Sequence, residues 1–224
     1  MTRPNLASAA LFVDFDGTIV DKDTAEVALD RFGDPDWVRI EEALERGEVS
    51  FEESLRQEFA RLRARPEAII AEVSRVTSVR PNFGRLIDYC RSSKIPLTVV
   101  SGGLDFCIRH FLGRDDWLSF VRVYAPASRF TGSGYIVTFP GVVGDTSTNF
   151  KDDLVRREKT GGKRVFFVGN GFGDLPAAKE ATFAFAIRGS KLAELCREQQ
   201  VQHEEIDNFA PVVDHLSKQL QMSL

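Results

Sequence analysis

Asp14 and Asp16 close the apolar run of LFVDFDGT, residues 11–18, one residue apart, with Gly17 and Thr18 directly behind them. Along an extended strand end, side chains repeat every two residues, so both carboxylates project to one side. Held that close, they cannot both stay comfortably charged: a cation sits between them or one takes a proton. A hard cation such as Mg²⁺ prefers oxygen ligands and binds through one or two carboxylates plus a substrate phosphate. Gly17 lets the backbone approach a phosphate, and Thr18 offers a hydroxyl and an amide; the plainer alternative for DxDGT is turn chemistry.

Three further places carry chemistry of the same kind. Ser101-Gly102-Gly103 ends the run IPLTVV and opens a helix, which aims a hydroxyl and free amides at an anion. Lys151 stands one turn into a helix capped by Thr148 or Asn149, where a lysine is unfavourable against the positive end of the dipole unless an anion is near. Its alternative is a solvated surface lysine beside Asp152 and Asp153. Asn170 and Asp174 flank the glycines of VGNGFGD after another apolar run, and Asp174 alone would serve as a helix N-cap ahead of Pro176. Together the four places point to one anion site rather than four coincidences.

The elements that must position these groups follow from periodicity. Four short apolar runs, LFV, IPLTVV, RVFFVG and TFAFAI, read as buried parallel strands, because β-branched and aromatic residues run on without alternation. Helical patterns LDFCIRHFL, DLVRRE, LPAAKEA and PVVDHLSKQL lie among or after them. Strands alternating with helices predict a doubly wound, Rossmann-like α/β core with a parallel sheet, whose ligands bind beyond the carboxyl ends of the strands. Residues 20–80 show helical spacing punctuated by Gly33, Pro35, Gly47 and Pro66, with Ser50 and Glu53 as a capping box. They predict an inserted helical cap over the strand ends, with residues 1–19 and 81–224 as the core. Trp37 and Phe51 suit the miniature core of that cap or the ceiling of a pocket. From about 120 to 147, VRVYAPASRFTGSGYIVTFPG predicts two or three short strands around TGSG, a small β-hairpin insertion with Phe130, Tyr135 and Phe139 on its face.

Composition excludes several classes. At 224 residues, 43% apolar and 28% charged, the chain has the make-up of an ordinary globular protein, and a net charge of −4 offers no general attraction to nucleic acid or anionic membrane. No apolar run nears the ~20 residues of a membrane span, and SAALFV is too short for a secretory segment. Cys90, Cys107 and Cys196 are odd in number and without CxxC spacing, so they read as reduced core thiols in a soluble cytoplasmic protein. His110, His203 and His215 are too dispersed for a metal site, and Arg61, Arg63 and Arg65 read as a solvated helix face. The partner expected is a small phosphorylated metabolite; no oligomeric state is legible.

The chain resembles the haloacid dehalogenase superfamily of phosphohydrolases. DFDGT (14–18) is similar to its first motif, SGG (101–103) to its second, Lys151 to its third and GNGFGD (169–174) to its fourth. The helical insertion resembles the cap of the phosphoserine phosphatase branch, and WVRIEEALERGEVSFEE also resembles the methionine-salvage relatives that act on a methylthio-ketopentenyl phosphate. The resemblance implies Mg²⁺ held by Asp14, Asp16, Asn170 and Asp174, with Asp14 as nucleophile forming an aspartyl phosphate and Asp16 as general acid and base. It implies that Ser101, the Gly102 amide, Thr18 and Lys151 hold the phosphoryl group, and that Asp23 and Arg56 bind the rest of the substrate. Two positions depart from the pattern: Asn170 stands where relatives usually carry a metal-binding aspartate, and Gly173 where phosphoserine phosphatases often have asparagine. A second expectation is therefore a catalytically impaired ligand-binding protein, and a third is phosphoryl transfer to an acceptor other than water.

Overall fold

The run AALFV, with no polar side chain, forms β1 (Ala9–Val13), and all five of its residues are buried. Such a strand needs cover on both faces, and it lies between parallel neighbours in the middle of a sheet. The structure, a computed structural model, describes residues 9–141 and 147–221. After β1 the chain makes a tight turn at Phe15–Ile19 and enters four helices, α1 (Thr24–Phe32), α2 (Trp37–Glu45), α3 (Phe51–Phe59) and α4 (Pro66–Val76). It returns through α5 (Phe83–Ser92), β2 (Leu97–Val100), α6 (Asp105–Gly113) and β3 (Arg122–Tyr124) to a hairpin of β4 (Ala127–Phe130) and β5 (Tyr135–Thr138). The remainder alternates: α7 (Phe150–Thr160), β6 (Arg164–Gly169), α8 (Leu175–Glu180), β7 (Phe183–Ile187), α9 (Lys191–Glu198), β8 (His203–Ile206) and α10 (Ala210–Gln221).

The main sheet is parallel throughout, in the order β3-β2-β1-β6-β7-β8. Chain order reverses between β1 and β6, and in open α/β sheets the crevice beyond the carboxyl ends at such a reversal is where ligands bind. Val13 sits beside Val99 of β2 and Val168 of β6, and Asp14 N donates to Val168 O at 2.8 Å. The loops that follow these three strands therefore leave the sheet side by side.

The doubly wound α/β core with its helical insertion and hairpin is as expected from the sequence. The sheet, however, has six strands where four were expected. Both additions are edge strands: of β3 no residue is fully buried, and of β8 only Ile206 is. An edge strand covered on few sides carries no continuous apolar run, so its sequence lacks the signature. VRVY thus belongs to the main sheet rather than to the hairpin, and the expected hairpin interval falls partly outside the described residues, at 142–146. Helices α5 and α9 also go beyond those expected, although α5 buries Phe83, Leu86, Ile87 and Cys90 at helical spacing.

One apolar cluster joins the insertion to the sheet, running from Leu11 and Phe15 to Phe59, Leu62, Ile69 and Val73. The two segments connecting the insertion to the sheet lie against each other: Val20 and Val79 form an antiparallel bridge, and Arg80 N donates to Ile19 O at 2.8 Å. The hairpin props the insertion from the side, with Tyr135 Oη donating to Ala64 O at 2.9 Å and Gly134 so close to Ala60 O that a Cβ would collide. Half of the expected capping box forms: Ser50 Oγ accepts from Glu53 N at 3.2 Å, while the Glu53 carboxylate turns to Gln57 at 2.9 Å. Cys90, Cys107 and Cys196 are buried and free, His110 bonds Ser74, and His215 stacks on Phe183. Among the described residues no helix is long and apolar enough to cross a membrane.

Candidate active site

The end of β1 departs at once from extended geometry. Asp14 and Asp16 keep extended backbone angles, but Gly17 takes φ +65, a left-handed conformation that closes the turn. A Cβ at Gly17 would also collide with the Asn170 side chain, so glycine is required there on two counts. Arg80 holds this turn from beneath, its Nε donating to Thr18 O at 2.9 Å and its Nη2 to Gly17 O at 2.8 Å. Thr18 is fully buried, and its hydroxyl donates to Asn170 Oδ1 at 2.9 Å, which ties the β1 turn to the β6 loop.

Asp16 is buried at the neck between the sheet and the insertion. Its Oδ1 accepts from Thr24 N at 2.8 Å and from Thr24 Oγ1 at 2.6 Å, while Ser101 Oγ lies 3.5 Å from its Oδ2. Gly103 makes room: a Cβ there would run into Asp16 Oδ2. Ser101 Oγ in turn accepts from Gly103 N at 3.0 Å, so the SGG segment curls around its own hydroxyl.

Lys151 is delivered by the first turn of α7. Asn149 caps that helix, accepting from Lys151 N at 2.8 Å, and Asp152 accepts from Asn149 N at 2.7 Å. Asn149 Nδ2 also donates to Gly173 O at 3.0 Å, which fastens α7 to the loop after β6. The lysine is not a surface residue: only 4% of its side chain is exposed, and Nζ donates to Asp14 Oδ1 at 2.9 Å and Asp174 Oδ1 at 2.6 Å. Asp174 does not cap α8 with its side chain; it folds back, and Oδ2 accepts from Asn170 N at 2.9 Å and Gly171 N at 3.0 Å.

Burial, then the neighbouring Asp174, push the Asp14 carboxyl up to about 7 despite Lys151. Burial, then the neighbouring Asp23, raise the Asp16 carboxyl well above the ordinary carboxylate range. Burial pulls the Lys151 ammonium down, but Asp14 and Asp174 more than reverse it, so the lysine stays charged.

Asp14, Asp16, Ser101, Gly102, Lys151, Asn170 and Asp174 all line one cavity of about 290 Å³, and Asp23, whose carboxylate accepts from Ala25 N and Glu26 N, lines it as well. Thr18 and Arg56 do not. Thr18 is a buried strut; Arg56 lies on the outer side of α3, 49% exposed in its side chain, paired with Glu53 and 5.0 Å over the Phe139 ring. The cavity also takes in residues not singled out from the sequence, among them Glu26, Glu41, Glu58 and Phe172. Glu58 could have been found: Phe51, Ser54, Leu55 and Glu58 recur at helical spacing on one face, so a carboxylate stands on the buried side of α3. Phe51 sits on the core loops, where a Cβ at Gly102 or Gly173 would strike its ring, and Trp37 is buried beside the cavity.

Three buried carboxylates, Asp14, Asp16 and Asp174, face one buried ammonium, Lys151, and this excess of negative oxygen fits a hard cation. Among the described residues no three His, Cys, Asp or Glu side chains form a metal-binding group on their own. A cation here would draw on Asp14 and Asp16 together with the amide oxygen of Asn170 and the oxygens of a bound phosphate.

The sequence pattern of the haloacid dehalogenase-like hydrolases matches residues 11–179. The chain is 30% identical over 208 residues to a 2-hydroxy-3-keto-5-methylthiopentenyl-1-phosphate phosphatase of Brevibacillus brevis, covering 91% of this chain and 92% of that protein. A protein of the same name from Geobacillus thermodenitrificans is 27% identical over 93% of this chain and 95% of its own length. Among solved structures, a substrate-bound phosphoserine phosphatase superposes with a TM-score of 0.70 at 19% identity, covering 92% of this chain and 98% of that one. A phospho-aspartyl intermediate analogue of phosphoserine phosphatase gives 0.68 at 20% identity, covering 92% and 97%. With its strand-end carboxylates, buried lysine and sheet order in place, the chain belongs to the haloacid dehalogenase-like hydrolase family.

Proposed function

We propose that this protein is a Mg²⁺-dependent hydrolase of a small phosphomonoester, working through an aspartyl phosphate on Asp14. The observation that carries this is the buried chain Asp14–Lys151–Asp174 with a further buried carboxylate, Asp16, lining the same cavity. An Asp14 oxygen attacks phosphorus as the ester P–O bond breaks, and Asp16 gives its proton to the departing alcohol oxygen. Asp16, now ionised, takes a proton from water; the water oxygen attacks phosphorus, the bond to Asp14 breaks and inorganic phosphate leaves. Lys151 and the Ser101–Gly102 segment hold phosphoryl oxygens, since phosphoryl transfer depends on positioning and charge stabilisation. Mg²⁺ would be held by Asp14, Asn170 and an oxygen of Asp16 other than the one that carries the proton, with Asp174 adding charge, and would neutralise the oxygens of the transferring group. The division into a core (1–19 and 81–224) and a cap (20–80) is supported by the Val20–Val79 bridge, where the two connecting segments run side by side. The esters named for the relatives, the methylthio-ketopentenyl phosphate and phosphoserine, are the first alcohol parts to try.

Turnover of p-nitrophenyl phosphate that vanishes with EDTA, and that falls by at least about a thousandfold in Asp14→Asn, is the expected result. Absence of metal-dependent hydrolysis across a broad panel of phosphometabolites would overturn the proposal. Asn170 favours a second reading, a protein that keeps the fold without turnover. Mg²⁺ titration calorimetry separates the two. The hydrolase binds Mg²⁺ as wild type and more tightly as Asn170→Asp, because the added charge contributes on the order of 4 kcal/mol at ~4 Å before screening. Binding and turnover that arise only in Asn170→Asp would establish the silent protein.

A further inference from the structure

The insertion side of the cavity is lined by five carboxylates, Asp23, Glu26, Glu41, Glu45 and Glu58, and by no lysine or arginine of the insertion. The two lysines that line the cavity belong to the core: Lys151 is bound to Asp14 and Asp174, and Lys191 lies 3.6 Å from Glu194. Glu58 is 8% exposed, yet its carboxylate makes no hydrogen bond or ion pair with any described residue. Arg61, a cation whose charge bears on it, stays outside the lining and donates from Nη1 to Gln57 O at 2.7 Å. Arg46 is spent on Glu42 and Glu48, and Arg56 on Glu53. A nine-tenths buried side chain whose carboxyl has no partner among the described residues and opens on a cavity among other carboxylates is costly to keep ionised.

We propose that Glu26, Glu41 and Glu58 form a subsite for an organic cation, so that the preferred substrate is a small phosphomonoester whose alcohol carries an ammonium group and no carboxylate. This rests on the phosphatase function proposed above. Three observations narrow the ligand. The carboxylates repel one another across the cavity: burial, then Glu41, Asp23 and Glu26, push Glu58 up to about 8, and a neutral ligand would leave that repulsion standing. The cavity they share with the strand ends, about 290 Å³, has room for an organic group beside a phosphate. Trp37 offers an aromatic surface on the same wall, and Leu29, Leu44 and Leu55 offer apolar contact for the carbons around an ammonium centre. With no free guanidinium or ammonium on this wall, a carboxylate on the alcohol part would find repulsion there.

The test compares 2-aminoethyl phosphate with propyl phosphate, its uncharged counterpart in shape, and with phosphoserine and the relatives' methylthio-ketopentenyl ester. Wild type is expected to favour the amine over propyl phosphate by about tenfold or more in kcat/KM, and to favour it over phosphoserine; in Glu41→Gln/Glu58→Gln the ratio of amine to propyl ester should collapse to about twofold or less. The same ranking should appear without turnover, as affinities measured by calorimetry on Asp14→Asn with Mg²⁺. Hydrolysis of all the esters with equal efficiency, or a preference for a neutral or carboxylate-bearing one, overturns the subsite and leaves the phosphatase standing. Absence of hydrolysis with any ester overturns the phosphatase, and the calorimetry then decides the subsite: tighter binding of the amine supports it, and equal affinity or no binding of either ester overturns it.

Discussion

On the strand-end side of the cavity each buried carboxylate has partners built into the fold: Lys151 for Asp14 and Asp174, Thr24 for Asp16, and the amides of Asn170 and Gly171 for Asp174. On the insertion side Glu58 is nearly as buried, and its carboxyl has no hydrogen-bond or ion-pair partner among the described residues. The two walls face the same space, so the difference is not one of solvent. The first wall is a preorganised electrostatic array in which every member is held by another, the arrangement that phosphoryl chemistry needs because it leaves no reorganisation to the reaction itself. The second has no such partner and favours the protonated form of Glu58 instead, which is what a wall awaiting a cation from outside would do.

The contrast is broken most severely by removing the lysine. In Lys151→Ala, Asp14 and Asp174 face each other without a counter-ion, and loss of one partner of a buried pair costs about 3–5 kcal/mol. Chemical denaturation in metal-free buffer should show that loss, and turnover should disappear with it. On the opposite wall the sign reverses. Glu58 is pushed from an ordinary 4.5 to about 8 by burial and by its carboxylate neighbours, so the folded state binds its proton more tightly than the unfolded state does. Its contribution to stability is intact below pH 4.5 and is lost as pH rises toward 8. Glu58→Gln should therefore be more stable than wild type at pH 8 by on the order of 4 kcal/mol and should converge with it near pH 5, as read from denaturation midpoints across pH. The smallest effect belongs to Arg56→Ala: with the guanidinium outside the cavity, kcat/KM should change by about twofold or less, and the lost contact with Phe139 should cost less than about 1 kcal/mol. A large rise in KM for that variant would place the arginine in the site after all.

Most of the catalytic wall was legible in the chain because its residues carry local signatures. Asp14 and Asp16 end an unbroken apolar run, Ser101-Gly102-Gly103 ends another, and Lys151 stands against a helix dipole where only a nearby anion makes it comfortable. A strand buried on both faces cannot hide its pattern, so β1, β2, β6 and β7 and the doubly wound class of the core followed from sequence, while the strand order did not. The edge strands β3 and β8 did not, since a strand with few buried residues reads like any polar segment. Arg56 illustrates the converse: a motif places the residue on the right helix, but the outward direction of its side chain depends on how α3 is rotated against the core.

The sequence by itself determined which groups can do chemistry and which strand ends carry them, because strand periodicity and glycine conformations act over a few residues. Tertiary structure alone decided that Lys151 and Asp14, separated by 137 positions, lie 2.9 Å apart, and that Asp174 turns back to the lysine instead of capping α8. It also decided that the carboxylates of α1, α2 and α3 share one wall: each looks like a solvated charge on its own helix, and only packing of the three helices over the sheet takes away the water that would have made them ordinary.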